Sequence, residues 1–271
     1  MWRSDEGVVL RRTPFRDTSL ILHLFSRQQG IVALVARGVR AQNTKRSKLD
    51  RAALSGFHTL IFGQQARSQQ AMATLTEVAI HCPRHRLLHL PPALLAAQVM
   101  QEILYRFLAP HDPHPGLFAL LEQSWNALEQ GEDPLAWLAF AQARMLQEIG
   151  YGWRSDCCTA CGTQQDLSHF SIKRSQTLCF ACVQRHLPIG THASAQDRHG
   201  VPLQQRLFPL SPELLHHLQQ FTARQQPARL APEDHALLYQ MGSASLTRLR
   251  GTPLHADGAF RHGMLLATRV Q

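Results

Sequence analysis

The sequence predicts an α+β chain of several domains: a small β-barrel at the N-terminus, a helical bundle, and a compact metal-binding module inserted into that bundle. Three observations point there. The first eighty residues break into five short apolar runs divided by polar turns. From Pro91 onward apolar residues recur at helical spacing. Between two helical stretches, residues 157–182 hold five of the six cysteines. At 271 residues the chain is long enough for two or three domains, each with its own core. The boundaries expected are 1–81 for the barrel, 82–152 with 187–271 for the helical domain, and 153–186 for the metal module.

The barrel runs come first. Gly7 to Leu10 is apolar and β-branched. Ser19 to Phe25 alternates imperfectly, with Leu20, Leu22 and Leu24 on one side. Gly30 makes a turn into Ile31 to Val35. Phe57 to Phe62 and Met72 to Ile80 follow. Five short strands with polar turns predict a closed barrel. An OB-fold is one such barrel; periodicity alone does not separate it from an SH3-like one.

The helical pattern starts at Pro91-Pro92, since proline fits the first turn of a helix. Leu95, Val99, Ile103 and Phe107 then repeat every four residues. A second helix is expected from Gly116 to Gln130. A third begins at Asp133-Pro134 and carries Leu138, Ala141, Met145 and Ile149 on its apolar face, with Gly150 as its stop. Ser211-Pro212-Glu213 starts another helix, and Pro232-Glu233-Asp234 starts one running toward Leu249. Residues 190–206 show no period and read as a loop.

Cys158-x2-Cys161 and Cys179-x2-Cys182 have the spacing of a four-cysteine zinc site. Each C-x-x-C turn brings two thiolates to one metal, and two such knuckles complete a tetrahedron. Gly162 supplies an unhindered turn after the first knuckle, and Leu167 to Ile172 can form a hairpin strand. Cys157 is the fifth cysteine of the segment; pairing it with Cys161 gives the less usual C-x3-C, so Cys158 is the expected ligand. His169 and His186 are alternative ligands that a four-cysteine set does not need. Four thiolates leave no open coordination position, so one structural zinc per chain is expected rather than a catalytic one.

The formal net charge is +9, and residues 1–80 carry twelve Lys or Arg against five Asp or Glu. The N-terminal third therefore holds most of the excess. Such a surface seeks a polyanion. The charge peaks in Ala36 to Arg51, where Arg37, Arg40, Lys45, Arg46, Lys48 and Arg51 stand against Asp50 alone. A loop of this kind, held between two strands, is placed to contact phosphates, with affinity that falls as salt rises. By charge alone, Arg11, Arg12, Lys45, Arg46 and Lys48 are supporting candidates for contact with a polyanion, either nucleic acid or an anionic membrane.

Enzyme signatures are missing: no phosphate-binding glycine loop, no H-E-x-x-H, no G-x-S-x-G, and no zinc-deaminase pair. His81, His85 and His89 recur at fours but have no acidic residue among them and are expected at the surface. Cys82 reads as a small buried apolar residue. The N-terminus lacks a signal peptide's pattern and no run approaches a membrane span, so a cytoplasmic protein with no membrane partner is expected.

The stretch EGVVLRRTPFRDTSLILHLFSRQQGIVALVARGVR resembles the N-terminal OB-fold barrel of the RecO family of bacterial recombination mediators. The elements that carry the likeness are Gly7-Val8-Val9-Leu10, Asp17-Thr18-Ser19-Leu20, Gly30 and Val35-Ala36-Arg37-Gly38-Val39-Arg40. It continues through the GYGW step at Gly150, the C-x-x-C-G of Cys158 to Gly162, and Leu249 to Phe260. Arg37 stands where the family often has Lys, and the C-terminal loop at His255-Ala256-Asp257 is less basic than is common. The resemblance implies a DNA repair and recombination mediator of the RecF pathway without covalent chemistry. Such a protein binds ssDNA and dsDNA, anneals complementary strands, and works with RecR. It also contacts the acidic tail of the single-stranded DNA-binding protein and so helps RecA load. It further implies Arg37 and Arg40 as the leading DNA contacts. The alternatives are a zinc-containing RNA-binding or regulatory OB-fold protein, and a zinc enzyme.

Overall fold

The computed structural model describes residues 2–41, 49, 51–66, 72–186, 207–221 and 224–267. The chain divides into two compact units, Met1–Pro134 with Ala259–Gln271, and Leu135–Gly258.

In the first unit, β1 (Trp2–Phe15), β2 (Ser19–Ser26) and β3 (Gly30–Ala36) form an antiparallel meander. β4 (Thr59–Gln65) pairs back with β1, and β5 (Ala73–Cys82) lies between β4 and β3. The order β1-β2-β3-β5-β4 closes into a barrel. The closing seam is parallel, with Leu34 opposite Ala73 and Val35 opposite Thr74. Parallel strands are not joined by a tight hairpin, and β4 intervenes in the chain between β3 and β5. This is the OB-fold arrangement.

Alternation fills the barrel. Val9, Leu22, Leu24, Val32, Leu34, Leu60, Phe62 and Leu75 point inward, and the 3-10 turn Ala53–Ser55 adds Ala53 and Leu54 to the same core. Each fully buried large side chain contributes about 1.5–3 kcal/mol. All five runs expected from the sequence are strands. β1 extends well past Leu10, because its ladder with β2 continues to Phe15 opposite Ser19, with a bulge between Val9 and Arg11.

Three helices complete this unit: α1 (Pro91–Phe107), α2 (Pro115–Gln130) and the end of α7 (His255–Ala267). Their attachment to the barrel is polar as well as apolar. Arg27 pairs with Glu6 at 2.7 Å and with Glu122 at 2.6 Å, and lies 4.5 Å over the Phe118 ring. Arg84 is fully buried. It donates to the Phe57 carbonyl, Thr59 Oγ1 and Asn126 Oδ1, which is what makes a buried guanidinium tolerable. Cys82 is half-buried rather than buried, its thiol 3.7 Å from Asn126 Oδ1. It closes β5 where the strand meets α2, so its side chain has a polar neighbour. His81, His85 and His89 are exposed.

The second unit is built on α3 (Pro134–Glu148), α5 (Pro212–Gln219) and α6 (Pro232–Arg250), with a small sheet ordered β7-β6-β8. Here β6 is Leu167–Ser171, β7 Gln176–Cys179 and β8 Leu207–Pro209, with α4 (Phe180–His186) following β7 directly. α5 is capped as its sequence suggests: Ser211 Oγ accepts from the Leu214 N–H at 3.0 Å. α3 is buried nearly all round, from Ala136 to Leu146, Gln142 included. The expected loop at 190–206 lies outside the described residues, as do Lys45, Arg46 and Lys48.

Candidate functional site: a thiol cluster and a basic barrel rim

The sulfurs of Cys158, Cys161, Cys179 and Cys182 all lie within 4.8 Å of one another. Cys157 is not among them. Two local motifs make the cluster. In the first knuckle, the Cys158 N–H donates to the Thr163 carbonyl at 2.7 Å and the Gly162 N–H to the Cys158 carbonyl at 2.8 Å. Gly162 sits at φ +78°, a conformation that favours glycine. The knuckle is tied to the hairpin by the Thr159 N–H donating to the Thr177 carbonyl. Cys157 is held on that strand too, its carbonyl accepting from Thr177 Oγ1 at 3.0 Å. The second knuckle is the junction of β7 and α4. Cys179 ends the strand and Cys182 lies in the first turn of the helix, so the bend brings both sulfurs to one side.

The donor set fits a tetrahedral metal. Zn–S bonds of ~2.3 Å place the sulfurs of a tetrahedron ~3.8 Å apart. Cys161 and Cys179 already stand 3.7 Å apart. Four thiolates select zinc or iron over harder cations. The electrostatics agree with a site made for a cation. Burial pushes the Cys158 thiol up, but backbone N–H groups of Cys179, Ala160 and Cys161 outweigh it and bring it down to about 6. Hydrogen bonding to Cys161 and Cys179, with burial added, drives Cys182 up to about 12. Four sulfurs this close without a cation therefore share charge unevenly; a bound dication removes the conflict by holding all four as thiolates. Cys158, Cys179 and Cys182 are buried and Cys161 is exposed. His169 is turned to Ser168 Oγ at 2.9 Å instead.

The basic rim arises from strand register. Near the start of β2, Leu20 and Ile21 lie opposite Ala36 and Val35 of β3, and near the end of β1, Thr13 and Pro14 lie opposite Ile21 and Leu20. β5 begins beside Leu34 and Val35. The turn 16–18, the exit of β3 at 37–41 and the start of β5 therefore share one end of the barrel. Arg37 and Arg40 are exposed there, while Val39 between them is buried in the barrel core. The Arg40 N–H donates to the Thr18 carbonyl at 2.8 Å, and its guanidinium reaches the Arg16 carbonyl at 3.4 Å. Arg51 donates to the Ala41 carbonyl and pins the far side of the segment.

Arg16 is a rim residue that sequence reasoning missed. It is exposed, has φ +52°, and its guanidinium sits 5.2 Å from the centre of the Phe15 ring. Its signal was available: it occupies the turn just before the Asp17-Thr18 step that the basic loop grips. Arg12 is exposed. Arg11 is exposed as well but engaged, donating to Tyr105 Oη at 3.2 Å with its guanidinium 5.2 Å over that ring. Arg106 and Arg144 each face a carboxylate one turn away on their own helices, Glu102 and Glu148. No helix among the described residues is long and apolar enough to cross a membrane.

Comparison with known proteins adds an independent line. The family model for the N-terminal region of recombination protein O matches residues 1–83, and that for its C-terminal region matches residues 91–223. The chain is 29% identical over 190 residues to the DNA repair protein RecO of Bacillus pumilus, covering 67% of this chain and 68% of that protein. It is 31% identical over 160 residues to the DNA repair protein RecO of Cupriavidus metallidurans, covering 59% of this chain and 51% of the other. It is 33% identical over 148 residues to the DNA repair protein RecO of Methylococcus capsulatus, covering 55% and 58%. The chain thus spans about half to two thirds of the length of these curated relatives.

Proposed function

The chain belongs to the RecO family of DNA repair proteins, and on that premise we propose that it is a recombination mediator that binds ssDNA and dsDNA and anneals complementary strands. The observation that carries this reading is the barrel rim, where Val39 anchors a segment whose neighbours Arg37 and Arg40 are exposed. Arginines on a rigid scaffold neutralise phosphates on two approaching strands and lower their mutual repulsion, so that base pairing proceeds. Arg37 and Arg40 lead the contacts; Arg12 and Arg16 extend the rim, and Arg11 supports it from beside Tyr105. Lys45, Arg46 and Lys48 join them on charge alone.

The thiol cluster serves as a structural zinc staple, one ion held by Cys158, Cys161, Cys179 and Cys182. Zinc supplies folding energy to a small segment in which Cys158, Cys179 and Cys182 pack with Leu167, Leu178 and Val183. A closed four-thiolate shell offers no position for substrate, and the reading includes no covalent chemistry. The functional modules are the barrel 1–81, the helical domain 82–152 with 187–271, and the zinc module 153–186. By likeness to the family, the partners are RecR, the acidic tail of the single-stranded DNA-binding protein and, indirectly, RecA on coated ssDNA. The setting is the cytoplasm and nucleoid.

The test is a salt series of ssDNA binding by Arg37→Ala/Arg40→Ala. Two lost phosphate contacts should weaken binding on every sequence and lower the slope of log K against log salt by about 2. Arg106→Ala should leave both unchanged. An unaltered slope in the double variant would remove the rim from the binding surface.

A further inference from the structure

The thiol cluster is unequally sheltered, and the inequality has a chemical consequence. Cys158, Cys179 and Cys182 are buried, while Cys161 is exposed. Beside it lies an open groove of about 630 Å³ in which Cys161, Cys179 and Cys182 form part of the wall, with Thr163, Ser168 and Arg185 among the other lining residues. Three of the four ligand residues thus line a groove that opens to solvent, and Cys161 is the exposed one among them. Phe180, half exposed, is another of the lining residues.

We propose that Cys161 is a modification site: the zinc-bound thiolate at which a hydroperoxide enters the cluster, forming a disulfide with a neighbouring ligand and expelling the metal. The inference rests on the zinc reading above. Metal binding keeps sulfur as thiolate, the form that reacts, and reactivity among thiolates then follows access. The Cys161 sulfur gives an electron pair to one peroxide oxygen; the O–O bond breaks, hydroxide leaves, and Cys161 becomes a sulfenic acid. A second ligand thiolate attacks that sulfur, the S–O bond breaks and a second hydroxide leaves. Two thiolates have lost two electrons in all, and the peroxide has taken them up. The geometry favours the second step, because every ligand sulfur lies within 4.8 Å and that of Cys179 only 3.7 Å away. Two remaining thiolates cannot complete a tetrahedral shell, so zinc leaves.

Cys157 and Cys82 are the natural competitors. Both are half-buried and neither belongs to the cluster. Neither is exposed and neither is placed to hold the metal, so both rank behind Cys161.

The experiment uses the full chain after its zinc content has been measured. A chain purified without zinc would end the metal reading itself, before the site is tested. The zinc-loaded protein is treated with hydrogen peroxide below one equivalent. Released zinc is followed with a chromogenic chelator, and the oxidised cysteines are mapped by differential alkylation and mass spectrometry. Zinc release in step with a first disulfide that contains Cys161 is expected, with Cys157→Ser following the same course. Cys161→His keeps a zinc-competent set of three cysteines and one histidine, and should release zinc at least about tenfold more slowly. The inference is overturned if the first disulfides leave Cys161 reduced, or if Cys157 oxidises first while zinc stays bound.

Discussion

Val39 shows how one residue positions its neighbours. It is buried in the barrel core, so Arg37 and Arg40 flank an anchored point and hold their charge outward at low entropic cost. A buried residue with the opposite character is His217, 2% exposed on α5. Its ring meets Phe221 edge-on at 5.6 Å, and its Nδ1 has no hydrogen-bond partner among the described residues. Burial, aided by Arg224, His235 and His216, brings it down to about 4. In the unfolded chain the same ring protonates near its ordinary value of ~6.5. Between those values the unfolded state binds more protons, so stability falls as pH drops from about 6.5 toward 4. From pH 7 to pH 5 this group alone should cost roughly 2 kcal/mol. His217→Phe should lose that much less over the same interval, read from urea unfolding at both pH values. Equal losses in the two proteins would mean that His217 is not held neutral.

At the scale of elements, the zinc knuckles can be tested against the sheet they organise. Cys158→Ser/Cys161→Ser should bind no zinc, and a protease should then cut within residues 153–186 while the barrel core stays protected. Retention of one zinc per chain by that variant would point to other ligands. Which elements were legible in the sequence follows from what sets them. The knuckles were, because ligand spacing is a local constraint. The strands were located correctly because alternation records a buried face. The length of β1 was not, since Arg11, Arg12 and Pro14 carry no apolar signal and the ladder with β2 alone extends the strand. The spacing of Leu138, Ala141, Met145 and Ile149 predicts one apolar stripe on α3; the helix ends at Glu148, and Ala136, Ala139 and Ala143 are buried on it as well. α7 was hidden by its own glycines. A Cβ at Gly263 would lie 2.6 Å from Leu95 Cδ1, the mobile end of a half-buried side chain, and Phe260 on the same helix is fully buried. Asp257, accepting from Tyr239 Oη at 2.6 Å and Ser243 Oγ at 2.9 Å, secures its first turn.

Over the whole molecule, positive charge and metal are kept apart in sequence. Residues 1–80 carry most of the net charge of +9, and the cysteines follow far downstream. Only the chemistry of each could be read without the fold; that Arg16 shares a rim with Arg37 and Arg40 depends on strand register, which no local pattern records. The proposed division of labour gives DNA to the barrel and cohesion to the four-cysteine module. As proposed, it works by lowering phosphate repulsion, with neither nucleotide nor catalysis. The direct measurement is the annealing rate of two complementary DNA strands, each coated with single-stranded DNA-binding protein, in the absence of nucleotide. Acceleration by the intact chain is expected, with loss of that acceleration in Arg37→Ala/Arg40→Ala at unchanged zinc content. A folded, zinc-loaded chain that leaves the rate where it stands without protein would contradict it.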